Sequence, residues 1–88
     1  MPKMVLTHAV VDIERWLQGK QERVDYIGRV ATNVTDYVAI DGSNNIAITA
    51  DVHDMAGAKA MLASPSPELA ALGEKHGDIR PMTAYIER

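Results

Sequence analysis

Apolar and polar positions alternate along four stretches of this chain and recur at helical spacing along the stretches between them. Met4-Val5-Leu6-Thr7-His8-Ala9-Val10-Val11 holds no breaker and is rich in β-branched and aliphatic residues, which predicts a strand. One face would carry Met4, Leu6, His8 and Val10, and the other Val5, Thr7, Ala9 and Val11. Both faces are largely apolar, so both should be covered. Asp12 follows as an N-cap, because its carboxylate can accept the free N–H groups of a helix's first turn, and Glu14 sits near the positive end of the dipole. Ile13, Trp16, Leu17, Val24 and Ile27 fall near helical spacing. They predict a helix that Gly19 weakens in its middle and Gly28 stops.

The period then returns to two. Val34, Asp36, Val38 and Ile40 alternate with Thr35, Tyr37, Ala39 and Asp41, which predicts a strand from about Ala31 to Ile40. Asp41 to Asn45 reads as a turn and Ile46 to Val52 as the returning strand of a hairpin. Asp54 is a second N-cap, ahead of an amphipathic helix with Met55, Ala58, Met61 and Leu62 on one side. Ser64-Pro65-Ser66-Pro67 interrupts that helix, since proline cannot continue the hydrogen-bond ladder. Ser66 then caps a short helix with Pro67 at its first position, which His76-Gly77 ends. Pro81 to Ile86 predicts the last strand. Strand, helix, strand, strand, helix pair, strand is the split βαβ order. The expected fold is therefore α+β, a ferredoxin-like βαββαβ domain spanning residues 1–88, with a four-stranded antiparallel sheet.

Such a sheet has helices on one face only. The apolar residues on the other face predict a homodimer, two sheets facing each other in a dimeric α+β barrel. The cleft between sheet and helices would suit a small hydrophobic ligand.

Composition narrows the function classes. The 88 residues carry 47% hydrophobic and 24% charged side chains, ordinary for a folded domain. The net charge of −3, with nine scattered Lys and Arg, argues against nucleic acid as a partner. No apolar run reaches the length of a membrane span, and Met1 to Val11 reads as a strand rather than a signal peptide, so the cytoplasm is the expected location. With no cysteine there is neither a disulfide nor a thiolate.

Candidate chemistry is sparse. His8 stands in an otherwise apolar strand; burial favours the neutral imidazole, which can take up a proton as a general base. The plainer alternative is a core histidine satisfied by one hydrogen bond. Tyr37 and Tyr85 could aim hydroxyls into the same cavity and steady an oxyanion, or could simply pack on the sheet. Trp16 could stack on a ligand or belong to the core. Arg80 could receive a carboxylate or stay solvated. Asp51, His53 and Asp54 have the right types for a metal but match no established ligand spacing, so no metal is expected.

Three segments carry a family resemblance. His8-Ala9-Val10-Val11-Asp12-Ile13-Glu14-Arg15-Trp16 is similar to the strand-to-helix signature of small dimeric α+β barrel proteins: a His-x-Val, then Asp, then Trp four residues on. Asp51 to Pro65, with its Ala-x-x-Met-Leu-Ala-Ser-Pro core, resembles the segment after their third strand. Gly77 to Ile86 resembles their final Gly-x-x-x-Pro strand. The resemblance is to the superfamily that includes the antibiotic-biosynthesis-monooxygenase-like proteins, lactone isomerases and polyketide cyclases. It implies a cofactor-independent monooxygenase, cyclase or isomerase acting on an aromatic or polyketide-like molecule, with no cofactor. A non-catalytic ligand-binding or assembly module is the alternative. Lys20 and Ile13 stand where aromatics are usual, which argues against an aromatic-lined pocket.

Overall fold

In the computed structural model, which describes residues 1–64 and 66–88, the elements are β1 (Lys3–Val10), α1 (Ile13–Gln18), α2 (Lys20–Ile27), β2 (Ala31–Val38), β3 (Asn45–Val52), α3 (Met55–Ala63), α4 (Pro67–His76) and β4 (Asp78–Ile86). The strands form one antiparallel sheet in the order β2-β3-β1-β4. This is the α+β ferredoxin-like fold that the strand and helix order implies.

The caps act where the sequence puts them. Asp12 accepts from the Glu14 N–H at 3.1 Å, Asp54 from the Gly57 N–H at 3.0 Å, and Ser66 from the Leu69 N–H at 3.1 Å. Each satisfies a donor that the first helical turn leaves free. Gly77 ends α4 at a φ of 78°, a left-handed conformation that glycine adopts without strain. Pro65 lies outside the described residues, so the predicted break rests on Ser66 and Pro67 alone.

Two expectations are corrected. The first helix is not continuous: it breaks at Gly19 into α1 and α2. The ring of His76 lies so close to Gly19 that a β-carbon there would collide with it. The break admits an imidazole from another helix, rather than merely marking poor helix propensity. The last strand starts at Asp78, three residues before Pro81. Gly77 turns the chain straight onto β1, where the Val11 N–H donates to the Gly77 carbonyl at 2.8 Å and Asp78 pairs with Val10. Pro81 has no N–H to give the ladder, and the β1–β4 register shifts between Thr7 and Ala9. His8 thus faces a bulge made of Arg80, Pro81 and Met82.

The core lies under one face of the sheet. Met4, Leu6, Val10, Ile46, Ile48, Ala50 and Val52 point toward the helices and meet Trp16, Ile27, Val30 and Ala58. The opposite face carries Val5, Thr7 and Ala9 of β1, Ala47 and Thr49 of β3, Thr35 and Tyr37 of β2, and Thr83 and Tyr85 of β4. It is uncharged apart from the Lys3–Asp51 pair at one end, 3.1 Å apart. Alternation on β1 alone suggests an apolar face, yet threonines from all four strands make it mixed.

Candidate active site

A cleft of about 340 Å³ runs between the inner sheet face and helices α2, α3 and α4. Leu6, Ile48 and Met82 form its floor, and Tyr26, Ile27, Met61, Leu62, Leu69 and Leu72 form its walls. Its polar end gathers His8, Arg23, Glu74, His76, Asp78 and Arg80. Apolar walls around a few convergent polar groups are the usual make-up of a small-molecule site.

His8 reaches the cleft because β1 alternates and even-numbered positions face the helices. It keeps only 8% of its surface. Its Nδ1 lies 2.8 Å from the Ala9 carbonyl oxygen. A carbonyl only accepts, so the neutral ring carries its hydrogen on Nδ1 and keeps a lone pair on Nε2. No described residue bonds that nitrogen. A second, more open cavity of about 350 Å³ notches the outer sheet face at the bulge. His8, Ile79 and Arg80 line both cavities.

The structure brings His8 and Arg80 together and separates the other expected site residues from them. Trp16 has no exposed surface and does not line the cleft; its ring stands edge-on to His8, with centroids 6.4 Å apart. The indole supports the imidazole from behind instead of stacking on a ligand. Tyr37 and Tyr85 sit on the outer face, 49% and 56% exposed. Sharing the strand period with odd-numbered β1 residues puts them across the sheet from His8. Tyr37 Oη accepts from Thr49 Oγ1 at 3.5 Å.

Arg23 is the residue that sequence reasoning missed. It stands among polar helix neighbours, Gln21 and Glu22, yet it is buried. Nη2 donates to Asp36 Oδ2 at 2.9 Å, Nη1 donates to the Trp16 carbonyl, and Cζ sits 4.2 Å above the Trp16 ring. Asp36, at an inward position of β2, was the available signal, since a buried carboxylate needs a cation. Arg23 Nη1 also lies 3.4 Å from His76 Nδ1. A guanidinium only donates, so Nδ1 of His76 accepts and Nε2 carries the hydrogen toward Glu22 Oε1, 3.4 Å away. Hydrogen bonds from Lys75 and His76 hold the Glu22 carboxyl below its ordinary range.

Asp78 is the second residue missed. The residue is exposed, and its carboxylate lies beside Gly73, where a β-carbon would stand 3.3 Å from Oδ2. Loss of water raises it above the ordinary aspartate value, against the opposing pull of His8, His76, Arg23 and Arg80. Asp51, His53 and Asp54 spread apart: Asp51 pairs with Lys3, His53 Nε2 lies 3.3 Å from the Gly28 carbonyl, and Asp54 caps α3.

No family model and no curated protein matches the chain by sequence. Solved structures do match by fold. A putative antibiotic biosynthesis monooxygenase from Bordetella bronchiseptica superposes with a TM-score of 0.74 at 10% identity, over 99% of this chain and 94% of its own. SnoaB from Streptomyces nogalater, a cofactor-independent oxygenase, matches with 0.69 at 13% identity, over 99% and 92%. A dimeric protein of unknown function with a ferredoxin-like fold from Bacteroides fragilis matches with 0.56 at 15% identity, over 96% and 93%. At these identities the likeness is one of fold. Among the described residues no helix is long and apolar enough to cross a membrane.

Proposed function

We propose that this chain is a cytoplasmic, cofactor-independent enzyme that takes a proton from an acidic C–H of a small aromatic substrate in the inner cleft and lets dioxygen add at that carbon. The observation that carries the reading is His8, an imidazole with a free Nε2 at the polar end of an apolar-walled cleft of about 340 Å³. Proton removal also begins cyclisation and isomerisation. Oxygenation is preferred because a structure of the same fold is a cofactor-independent oxygenase.

The chemistry needs little from the protein. Nε2 takes the proton, and the C–H electron pair stays on a carbanion that the aromatic ring delocalises. Dioxygen accepts that pair and bonds to the carbon as a peroxide anion. A proton completes the hydroperoxide, and where the carbon bears a second hydrogen, water leaves to give a ketone. Arg80, at the polar end, can hold a carboxylate or phenolate of the substrate. A second copy of the chain would cover the outer face, with Tyr37 and Tyr85 between the two sheets. The uncharged surface there and the dimeric neighbour support that arrangement.

Naphthoresorcinol is a suitable probe, because its keto form has an acidic CH₂ beside the ring and oxidises to a hydroxynaphthoquinone. Without oxygen, in heavy water, the enzyme should exchange that CH₂ faster than buffer. With oxygen it should consume dioxygen. His8→Ala should lower both by about 100- to 10,000-fold with its folded NMR spectrum intact. Turnover that survives in His8→Ala contradicts the assignment.

A further inference from the structure

Dioxygen has to meet the carbanion at the carbon that His8 has deprotonated, and the sheet is broken at that place. β1 and β4 pair from Met4–Ile86 to Thr7–Thr83, and again at Ala9–Ile79 and Val10–Asp78. Between the rungs Thr7–Thr83 and Ala9–Ile79, β1 supplies one residue, His8, and β4 supplies three, Arg80, Pro81 and Met82. Unequal lengths cannot hold the usual strand spacing, so β4 bows away from β1 and the ladder opens. On its other edge β1 stays paired, with His8 opposite Ile46. The opening is therefore confined to one side of His8. The inner cleft and the outer cavity of about 350 Å³ meet there, with His8, Ile79 and Arg80 lining both. Met82 lines the inner cleft only, and Pro81 the outer cavity only. Small side chains, Thr7, Ala9 and Thr83, border the outer cavity, and Arg80 brings its one fixed charge.

We propose that this bulge is the oxygen entrance of the site: dioxygen gathers in the outer cavity and passes His8, Ile79 and Arg80 to the substrate carbon, while the organic substrate holds the inner cleft. The inference rests on the oxygenase reading above and deepens it. A ring whose acidic carbon lies at Nε2 has helices α2, α3 and α4 over its far side. Its reacting end faces His8, and the break in the ladder lies beside that residue. A molecule of two atoms needs only a narrow gap and no hydrogen bond to pass, whereas a ring needs the wider cleft. Separate doors let dioxygen arrive without displacing the substrate. A second copy over the outer face would turn the outer cavity into an enclosed chamber. Dioxygen is small and apolar enough to permeate such an interface, which would still keep the organic substrate out.

Thr83 stands on the outer face and lines the outer cavity but not the inner cleft, so Thr83→Phe should fill the entrance and spare the base. It should lower kcat/KM for dioxygen about 10-fold, while anaerobic exchange of the naphthoresorcinol CH₂ stays within about twofold of wild type. Thr83→Val, of the same shape, leaves the cavity open and should keep the wild-type oxygen dependence. Thr7→Phe fills the cavity from β1 and serves if Thr83→Phe does not fold. An unchanged kcat/KM for dioxygen in a folded Phe variant, or an equal fall in anaerobic exchange, would overturn the proposal. Dioxygen also gives a reading without substrate, because it is paramagnetic and broadens nearby methyl signals. Under oxygen pressure Ala9 and Ile79 of the wild type should broaden more than Val5 and Ala47 elsewhere on the sheet, and the excess should vanish in Thr83→Phe. No excess in the wild type means that gas does not gather at the bulge, and the entrance is wrong whatever the protein does with naphthoresorcinol. If the excess is there but the wild type neither exchanges the CH₂ nor consumes dioxygen, the oxygenase reading fails and gas binding at the bulge stands.

Discussion

Arg23 and Asp36 meet at 2.9 Å with side chains only 8% and 5% exposed. An ion pair so enclosed adds modest net stability, because both charges give up water to form it. Removing one partner is different: the other charge stays buried alone. Asp36→Asn should therefore cost about 3–5 kcal/mol in urea unfolding, well above the cost of an exposed pair such as Arg29–Glu68. The same variant loosens the guanidinium over Trp16, and the indole is what backs His8. Asp78 carries the opposite sign. Its folded-state pKa is raised, so it favours folding while protonated, below the ordinary aspartate range. That contribution is lost as pH rises through the folded value. Asp78→Asn should accordingly leave the Tm at neutral pH no lower than wild type. At this scale the sequence was legible for His8, whose face followed from simple alternation. It was silent on Arg23 and Asp78, because their neighbours come from elements distant in the chain.

Each strand and helix was readable from caps and period, and the misjudged boundaries are where elements touch. Gly19 looked like a weak point in one helix; it is the place where His76 enters between two. The distinction is measurable. Helix propensity alone says that Gly19→Ala should gain up to about 1 kcal/mol. The collision with the imidazole says that it should lose about 1–3 kcal/mol. We expect the loss in thermal unfolding, together with disturbed His76 ring signals. β4 was read three residues short because Pro81 looked like its start. The strand begins at Asp78, directly after Gly77, and the register shift lies at Pro81. The extension brings Asp78 into the ladder, and the bulge opens the sheet beside His8. Two of the six residues at the polar end of the cleft, Asp78 and Arg80, thus come from a stretch that local pattern assigns to a loop.

For the whole molecule, one face of the sheet does the packing and supplies the cleft, and the other is the mixed, largely uncharged face that we propose a second copy covers. Tyr37 and Tyr85 show the cost of reading a site without knowing the face: both lie on strands, and both were grouped with a histidine that points the other way. The strand order β2-β3-β1-β4 puts β1 at the centre, which is why a single inward residue of β1 can meet groups from α2, α4 and β4. The account stands on the inner cleft as the place where substrate binds. Methyl and histidine NMR during titration with naphthoresorcinol tests this directly. Signals of Leu6, Ile27, Met61, Met82 and the His8 ring should move together and saturate, while Val5 and Ala47 on the outer face stay still. Shifts confined to Val5, Ala47 and their neighbours, with Leu6 and His8 unmoved, would contradict it.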